Sequence, residues 1–181
     1  MKKDVRKISK KNYVLVGLIL VVTVIFLGYF TFWYKSNQEY YRNNSVMSGY
    51  LSEIQENGVI DNLTNYVLDN PNTLLYVSYG NDSSVKRFED EFKRLIVTKN
   101  ISSNFIYIDL NYVTDKNFVL NIKNSFFSEE LKNKNLKLEK QSNIFILENG
   151  KIIDVLYGNR QNISLTDVTR FLIRHEVIEN D

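Results

Sequence analysis

The chain has no cysteine, one histidine, one proline and seven glycines among 181 residues. The first absence excludes disulfides, thiolate metal sites, thiol catalysis and acylation at cysteine. A single imidazole, His175, excludes any centre that needs two. Scarce proline and glycine argue against a disordered linker, and 44% apolar with 13% aromatic residues is enough for a packed core. Strong charge of one sign is missing as well. The formal net charge is +2, but residues 1–12 hold Lys2, Lys3, Arg6, Lys7, Lys10 and Lys11 against Asp4. The remainder is slightly acidic with its signs interspersed, so no basic face exists to release counterions from phosphates, and nucleic acid is not expected as a partner.

What the sequence does have is one long apolar run. Residues 13–34 read YVLVGLILVVTVIFLGYFTFWY without a charge. At 1.5 Å per residue such a helix spans roughly 33 Å, enough to cross a hydrocarbon core of about 30 Å. Aromatic residues crowd its far end, where rings favour the membrane interface. Six basic residues precede it and only Lys35 and Arg42 follow closely, which predicts a cytoplasmic N-terminus and an outer C-terminal part. The run exceeds the apolar stretch of a cleaved signal, and no small-x-small pattern follows Trp33. The expected organisation is a basic tail (1–12), a transmembrane helix (13–34), a stalk (35–58) and a folded outer domain (59–181). Val46, Tyr50, Leu51 and Ile54 fall at helical spacing in the stalk, suggesting a short amphipathic helix ended by Asn57-Gly58 and available for self-association.

In the outer domain the periodicity changes in a regular order. Residues 74–79 (LLYVSY) and 105–110 (FIYIDL) read as buried strands. Between them Asp82, Ser83 or Ser84 caps a helix with Val85, Phe88, Phe92, Leu95 and Ile96 on its apolar side; Glu89, Asp90 and Glu91 are expected on its charged side. Thr114-Asp115 opens a helix carrying Phe118, Val119, Ile122, Phe126 and Leu131. Residues 143–147 and 151–157 flank Glu148-Asn149-Gly150, and Asn-Gly between apolar runs signals a hairpin. Ser164 caps a last helix bearing Leu165, Val168, Phe171, Leu172 and His175. A β-α-β unit followed by a hairpin implies an α/β fold, a mixed sheet with helices on both faces.

This order resembles the thioredoxin fold over residues 59–178. The segment VKRFEDEF resembles the helix of membrane-anchored thioredoxin-like proteins known as bacteriocin transport accessory proteins, and QSNIFILENGKIIDVLYG resembles their last strands. The resemblance places the two cysteines of the C-x-x-C motif at Asp82 and Val85, a helix proline at Asp90, and the cis-proline before the hairpin at Ser142. None of those residues is kept. Without thiols the disulfide exchange of the family is excluded, and without proline a cis bond costs about 2.5–4 kcal/mol, so a trans bond and an altered groove are expected.

What the resemblance implies is therefore a redox-inactive domain, without cofactor or metal, that binds a peptide or protein partner. Its candidate edge is Tyr79, Asn81, Asp82, Ser83, Ser142 and Asn143, against the competing reading that Asp82, Ser83 and Ser84 only cap a helix. The implied setting is peptide or bacteriocin export at the cell membrane. A structural or self-associating module is the alternative. Paired carboxylates at Glu129-Glu130 and Glu89-Asp90-Glu91 raise the question of a hydrolase, but both lie beside lysine or arginine on what read as solvated helix faces. His175, near a helix C-terminus where a cation is favoured, has no second ligand of its kind.

Overall fold

The computed structural model describes residues 10–43, 45–54, 59–134, 136, 138, 142–158 and 163–180. The chain divides into two compact units, residues 1–42 and 43–181.

The first is dominated by α1 (Lys10–Asn43). The most apolar window within Lys11–Asn37 has a mean hydropathy of 2.6, and none of it is buried by the protein. The two threonine hydroxyls of the apolar run are satisfied within the helix: Thr23 Oγ1 donates to the Ile19 carbonyl at 2.8 Å and Thr31 Oγ1 to that of Leu27 at 2.7 Å. A run without charge, whose threonine hydroxyls are met by the helix's own carbonyls, suits a hydrocarbon environment.

The second unit contains β1 (Ser52–Glu53), α2 (Val59–Asp69), β2 (Leu74–Ser78), α3 (Ser83–Lys99), β3 (Phe105–Asp109), α4 (Phe118–Phe126), α5 (Glu129–Lys132), β4 (Asn143–Glu148), β5 (Lys151–Tyr157) and α6 (Leu165–Arg174). The strands form one sheet in the order β1-β3-β2-β4-β5. β1, β3 and β2 are parallel, while β4 is antiparallel to both β2 and β5. A central β-α-β unit, an antiparallel hairpin and a closing helix make this fold thioredoxin-like.

Strand alternation sorts the core into two clusters. Leu74, Tyr76, Phe105, Tyr107, Ile144 and Ile146 face α3 and α6, where Phe88, Phe92, Ile96, Phe171 and Leu172 meet them. Leu75, Val77, Ile106, Ile108, Phe145 and Leu147 face α2 and α4, against Leu63, Val67, Phe118 and Ile122. The hairpin turns through Asn149 (φ 50°) and Gly150 (φ 75°), the left-handed pair that a two-residue turn needs. The Asn149 amide donates to Asn72 Oδ1 and that of Gly150 to the Pro71 carbonyl, both at 2.9 Å.

Three features depart from the sequence reading. Residues 59–69, assigned no element above, form α2 with Val59, Leu63 and Val67 buried at four-residue spacing. Residues 118–132 form two helices, broken where Phe127 turns to extended backbone and bridges to Ile152. The stalk differs most. Residues 35–43 continue α1, and residues 45–54 form turns and β1 in place of an amphipathic helix. Met47 is fully buried and Leu51 is 5% exposed in the core of their own chain, with Tyr50 packed against it. Leu51 is thus spent inside the domain. Asn57-Gly58 lies outside the described residues.

Candidate functional site

The site lies at the end of the sheet where β2 runs into α3. Asp82, in extended backbone (φ −70°, ψ 129°), is the helix N-cap: its carboxylate accepts from the Ser84 amide at 2.7 Å and the Val85 amide at 3.3 Å, and from the Ser84 hydroxyl. The Ser84 hydroxyl, then the backbone amides, holds its carboxyl below the usual range. Asn81, Asp82, Ser83 and Ser84 are exposed, whereas Val85 is 2% exposed and packed in the core.

The candidate residues do not form one edge, because successive strand residues point to opposite faces. Tyr79 and Asn143 turn toward α4, where with Val77, Leu110, Phe118 and Phe145 they line a small apolar cavity of about 50 Å³. Tyr112, Val119 and Leu120 on the loop before α4 and on α4 itself are exposed. Ser142 turns the other way. It is fully buried, its Oγ 3.3 Å from the Tyr76 hydroxyl, so it presents no side chain to a surface groove. The peptide bond before Ser142 involves position 141, outside the described residues.

Ser142 belongs to a polar cluster that the sequence reading missed, and at its centre is Glu89. Expected on the solvated side of α3, Glu89 has no exposed surface at all. It accepts four hydrogen bonds, two at each carboxylate oxygen. Oε1 takes the Ser78 hydroxyl at 2.7 Å and the Tyr76 hydroxyl at 3.0 Å; Oε2 takes the Ser45 hydroxyl at 2.7 Å and the Val46 amide at 3.0 Å. Because Ser78 donates to Glu89, the Tyr107 hydroxyl 3.2 Å away donates to Ser78. A buried carboxylate is costly unless paired or fully hydrogen-bonded, and four donors meet that condition. Burial raises the Glu89 carboxyl pKa above its ordinary value, and its hydrogen bonds, led by Ser45, act in the opposite direction. Burial raises the Tyr76 and Tyr107 hydroxyls well above theirs, with Glu89 adding to both and Asp109 to Tyr107.

Asp109, 3% exposed at the end of β3, anchors the same corner. Its Oδ1 accepts from the Gly80 amide at 3.2 Å, the Asn111 amide at 2.9 Å and the Asn111 side chain at 2.6 Å; its Oδ2 has no hydrogen-bond partner among the described residues. Gly80 is required by close approach. A Cβ there would lie 2.2 Å from Ser45 Cβ and 2.7 Å from Asp109 Oδ2.

A signal for Glu89 did exist in the sequence. Val85, Phe88, Phe92 and Ile96 define the buried stripe of α3, and position 89 lies four after Val85 and three before Phe92, on that same stripe. The other carboxylates are where they were expected. Asp90, Glu91, Glu129 and Glu130 are exposed, with Lys132 2.9 Å from Glu129 and Lys134 3.9 Å from Glu130. His175 Nε2 is 2.9 Å from Asp154 Oδ2, and its ring packs edge-on against Phe171. Among the described residues no cluster of three or more acidic or histidine side chains is arranged to hold a metal.

No protein-family model matches the chain, and no curated protein matches it. Solved structures do. The reduced thioredoxin pre-protein of Schistosoma mansoni is similar at 14% identity, over 68% of this chain and 96% of that one, with a TM-score of 0.45. Thioredoxin O1 of Arabidopsis thaliana in its oxidised state is similar at 11% identity, over 72% and 98%, with a TM-score of 0.42. A further protein with a thioredoxin fold is similar at 13% identity, over 70% and 97%, with a TM-score of 0.47. At these identities the likeness concerns the fold alone, which the strand order establishes independently.

Proposed function

We propose that this chain is a non-enzymatic, single-pass membrane-anchored accessory protein whose redox-inactive, thioredoxin-like domain binds a peptide or protein partner outside the cytoplasmic membrane. The observation that carries this reading is the state of the two positions to which the resemblance assigns cysteines. Asp82 is engaged in capping α3, and Val85 is sealed in the core. With no thiol in the chain, disulfide exchange is outside its chemistry.

Binding is supported by what surrounds that turn. Exposed Asn81 and Ser83, half-buried Tyr79 and the exposed apolar Tyr112, Val119 and Leu120 offer polar and apolar contacts to a chain lying across the end of the sheet. Ser142 is not part of that surface, and Asn143 enters through the cavity beside Tyr79.

Anchoring is supported by α1. A membrane span and a secretory signal share a long apolar helix near the N-terminus; the length of Lys11–Asn37 and the basic residues before it favour the span. Tethering in a membrane plane raises the effective concentration of the domain near a membrane partner. Peptide or bacteriocin export is the setting that the sequence resemblance suggests, and this step is analogy.

The test is photo-crosslinking in cells from positions 79 and 81, with position 134 as control, after recovery of the chain from the membrane fraction. One discrete species captured from 79 and 81 and absent from 134 is the expected result. Equal labelling from all three positions would defeat the binding reading, and recovery in the soluble fraction would defeat the anchor.

A further inference from the structure

Residues 45–54 are wired mostly to themselves. The Ser48 amide donates to the Ser45 carbonyl, the Met47 amide to Ser45 Oγ, and the Tyr50 and Leu51 amides to the Met47 carbonyl. Ser48 Oγ donates to Glu53 at 2.9 Å, and Gly49 supplies the left-handed residue of the turn (φ 71°). A segment closed on itself in this way can move as a unit. Among the described residues, its hydrogen bonds to the rest of the domain are gathered at the two ends. At one end Ser45 Oγ and the Val46 amide take Glu89 Oε2; at the other, the two-residue β1 and the Ile54 amide pair with β3. Between them the side chains of Met47 and Leu51 enter the core, and Lys93 lies 4.6 Å from the centre of the Tyr50 ring.

Glu89 thus divides its carboxylate, one oxygen for the sheet through Tyr76 and Ser78, the other for this segment. Ser45 in turn rests on Gly80, whose amide is held by Asp109 and which is the second residue of the 79–83 turn. We propose that residues 45–54 are a strap latched by Glu89, and that docking and release of the strap set the shape of the 79–83 turn. The strap is the first part of the folded domain in chain order. Both oxygens of Glu89 are needed: loss of the Oε2 bonds frees the strap end and removes the neighbour that confines Gly80.

The proposal deepens the reading of the turn as a binding edge and rests on it only for what the turn does; its test uses no partner, so either can fail alone. In the full-length protein in detergent micelles, a single thiol at the strap (Met47→Cys) is compared with one on the opposite face of the sheet (Leu63→Cys), both positions having no exposed surface. The cysteine-free chain makes each thiol the only one present. Maleimide labelling rates are normalised to the denatured chain. The strap thiol is expected to label at least tenfold faster than the control. Ser45→Ala is expected to widen that ratio at least threefold further and to speed amide exchange at Gly80; Glu89→Ala does the same more strongly where it folds. Equal rates at the two thiols, or a ratio unmoved by Ser45→Ala, would show that residues 45–54 open only with the whole domain and would overturn the latch. Gly80 exchange at the wild-type rate while the strap opens would overturn its coupling to the turn.

Discussion

The two faces of the central sheet are made by the same strands and packed differently. Toward α2 and α4 the sheet presents Leu75, Val77, Ile106, Ile108, Phe145 and Leu147, aliphatic and aromatic without a hydroxyl among them. Toward α3 and α6 it presents Tyr76, Ser78, Tyr107 and Asp109, and α3 answers with Glu89. Both sets are buried, yet only the second is centred on a carboxylate with four donors. Apolar packing tolerates a range of shapes of the right volume, whereas a buried carboxylate tolerates only an arrangement that keeps its donors in place. The polar face therefore sits where the position of a particular segment, residues 45–54, has to be specified.

The largest test of that contrast is Glu89→Ala, which strands four buried donors at once. The expected loss is about 3–5 kcal/mol, because four neutral donors, each costing about 1–3 kcal/mol when stranded, lose their acceptor while the cost of burying the carboxylate is relieved. Urea denaturation of the full chain reads it, and a loss below about 1 kcal/mol would show that the donors find water and that the cluster is no more demanding than its apolar counterpart. Ile122→Ala on the other face is expected to cost about 2–4 kcal/mol as a cavity, lowering the urea midpoint without changing the labelling ratio between the strap and control thiols. A changed ratio there would erase the distinction between the faces.

Gly80→Ala addresses the corner where the polar face meets the turn. Its methyl would press on Ser45 Cβ and Asp109 Oδ2, and about 1–3 kcal/mol is expected from overpacking, with Met47→Cys labelling accelerated; unchanged labelling would mean that the backbone yields elsewhere. Asp82→Ala removes only a cap at an exposed position and is expected to cost about 1 kcal/mol. A much larger loss by urea denaturation would assign Asp82 a structural role beyond α3.

The last contrast is in pH. Burial raises the Glu89 carboxyl in the folded state above its ordinary value of 4.5, so the folded state binds the proton more tightly than the unfolded chain. Stability from this group is full below 4.5 and is lost as pH rises through the raised folded value. Tyr76 and Tyr107, also facing Glu89, are shifted upward and stay protonated across that window, and Asp109 stands behind Tyr107. Denaturation midpoints across this range should show a downward component with rising pH in the wild type that Glu89→Gln removes; identical profiles would place the titration elsewhere.

Much of this architecture is legible residue by residue. The β-branched and aromatic runs at 74–79 and 105–110, the Asn-Gly turn and the capping Asp82 and Ser164 each encode their element within a few neighbours, because strand and turn preferences are local properties. α2 is fainter: Val59, Leu63 and Val67 do recur at four-residue spacing, but Asn62, Thr64 and Asn65 between them favour turns as readily as helix. Asn81, Asp82 and Ser83 lie at the β2–α3 turn as the local pattern suggested, while Ser142 and Asn143, adjacent in sequence, part company because a strand sends them to opposite faces.

The sequence by itself determined the thiol-free chemistry, the long apolar helix and the order of the strands β2 to β5 with α3 and α6, since each depends on composition or on contacts within a few residues. Only the tertiary structure decided that Glu89 is buried and that residues 45–54 belong to the domain. The donors to that carboxylate come from Ser45, 44 residues away, and from Tyr76 and Ser78, 13 and 11 residues away on another element. The free energy of a carboxylate depends on which donors surround it, and when those donors come from distant segments no local pattern can record the outcome.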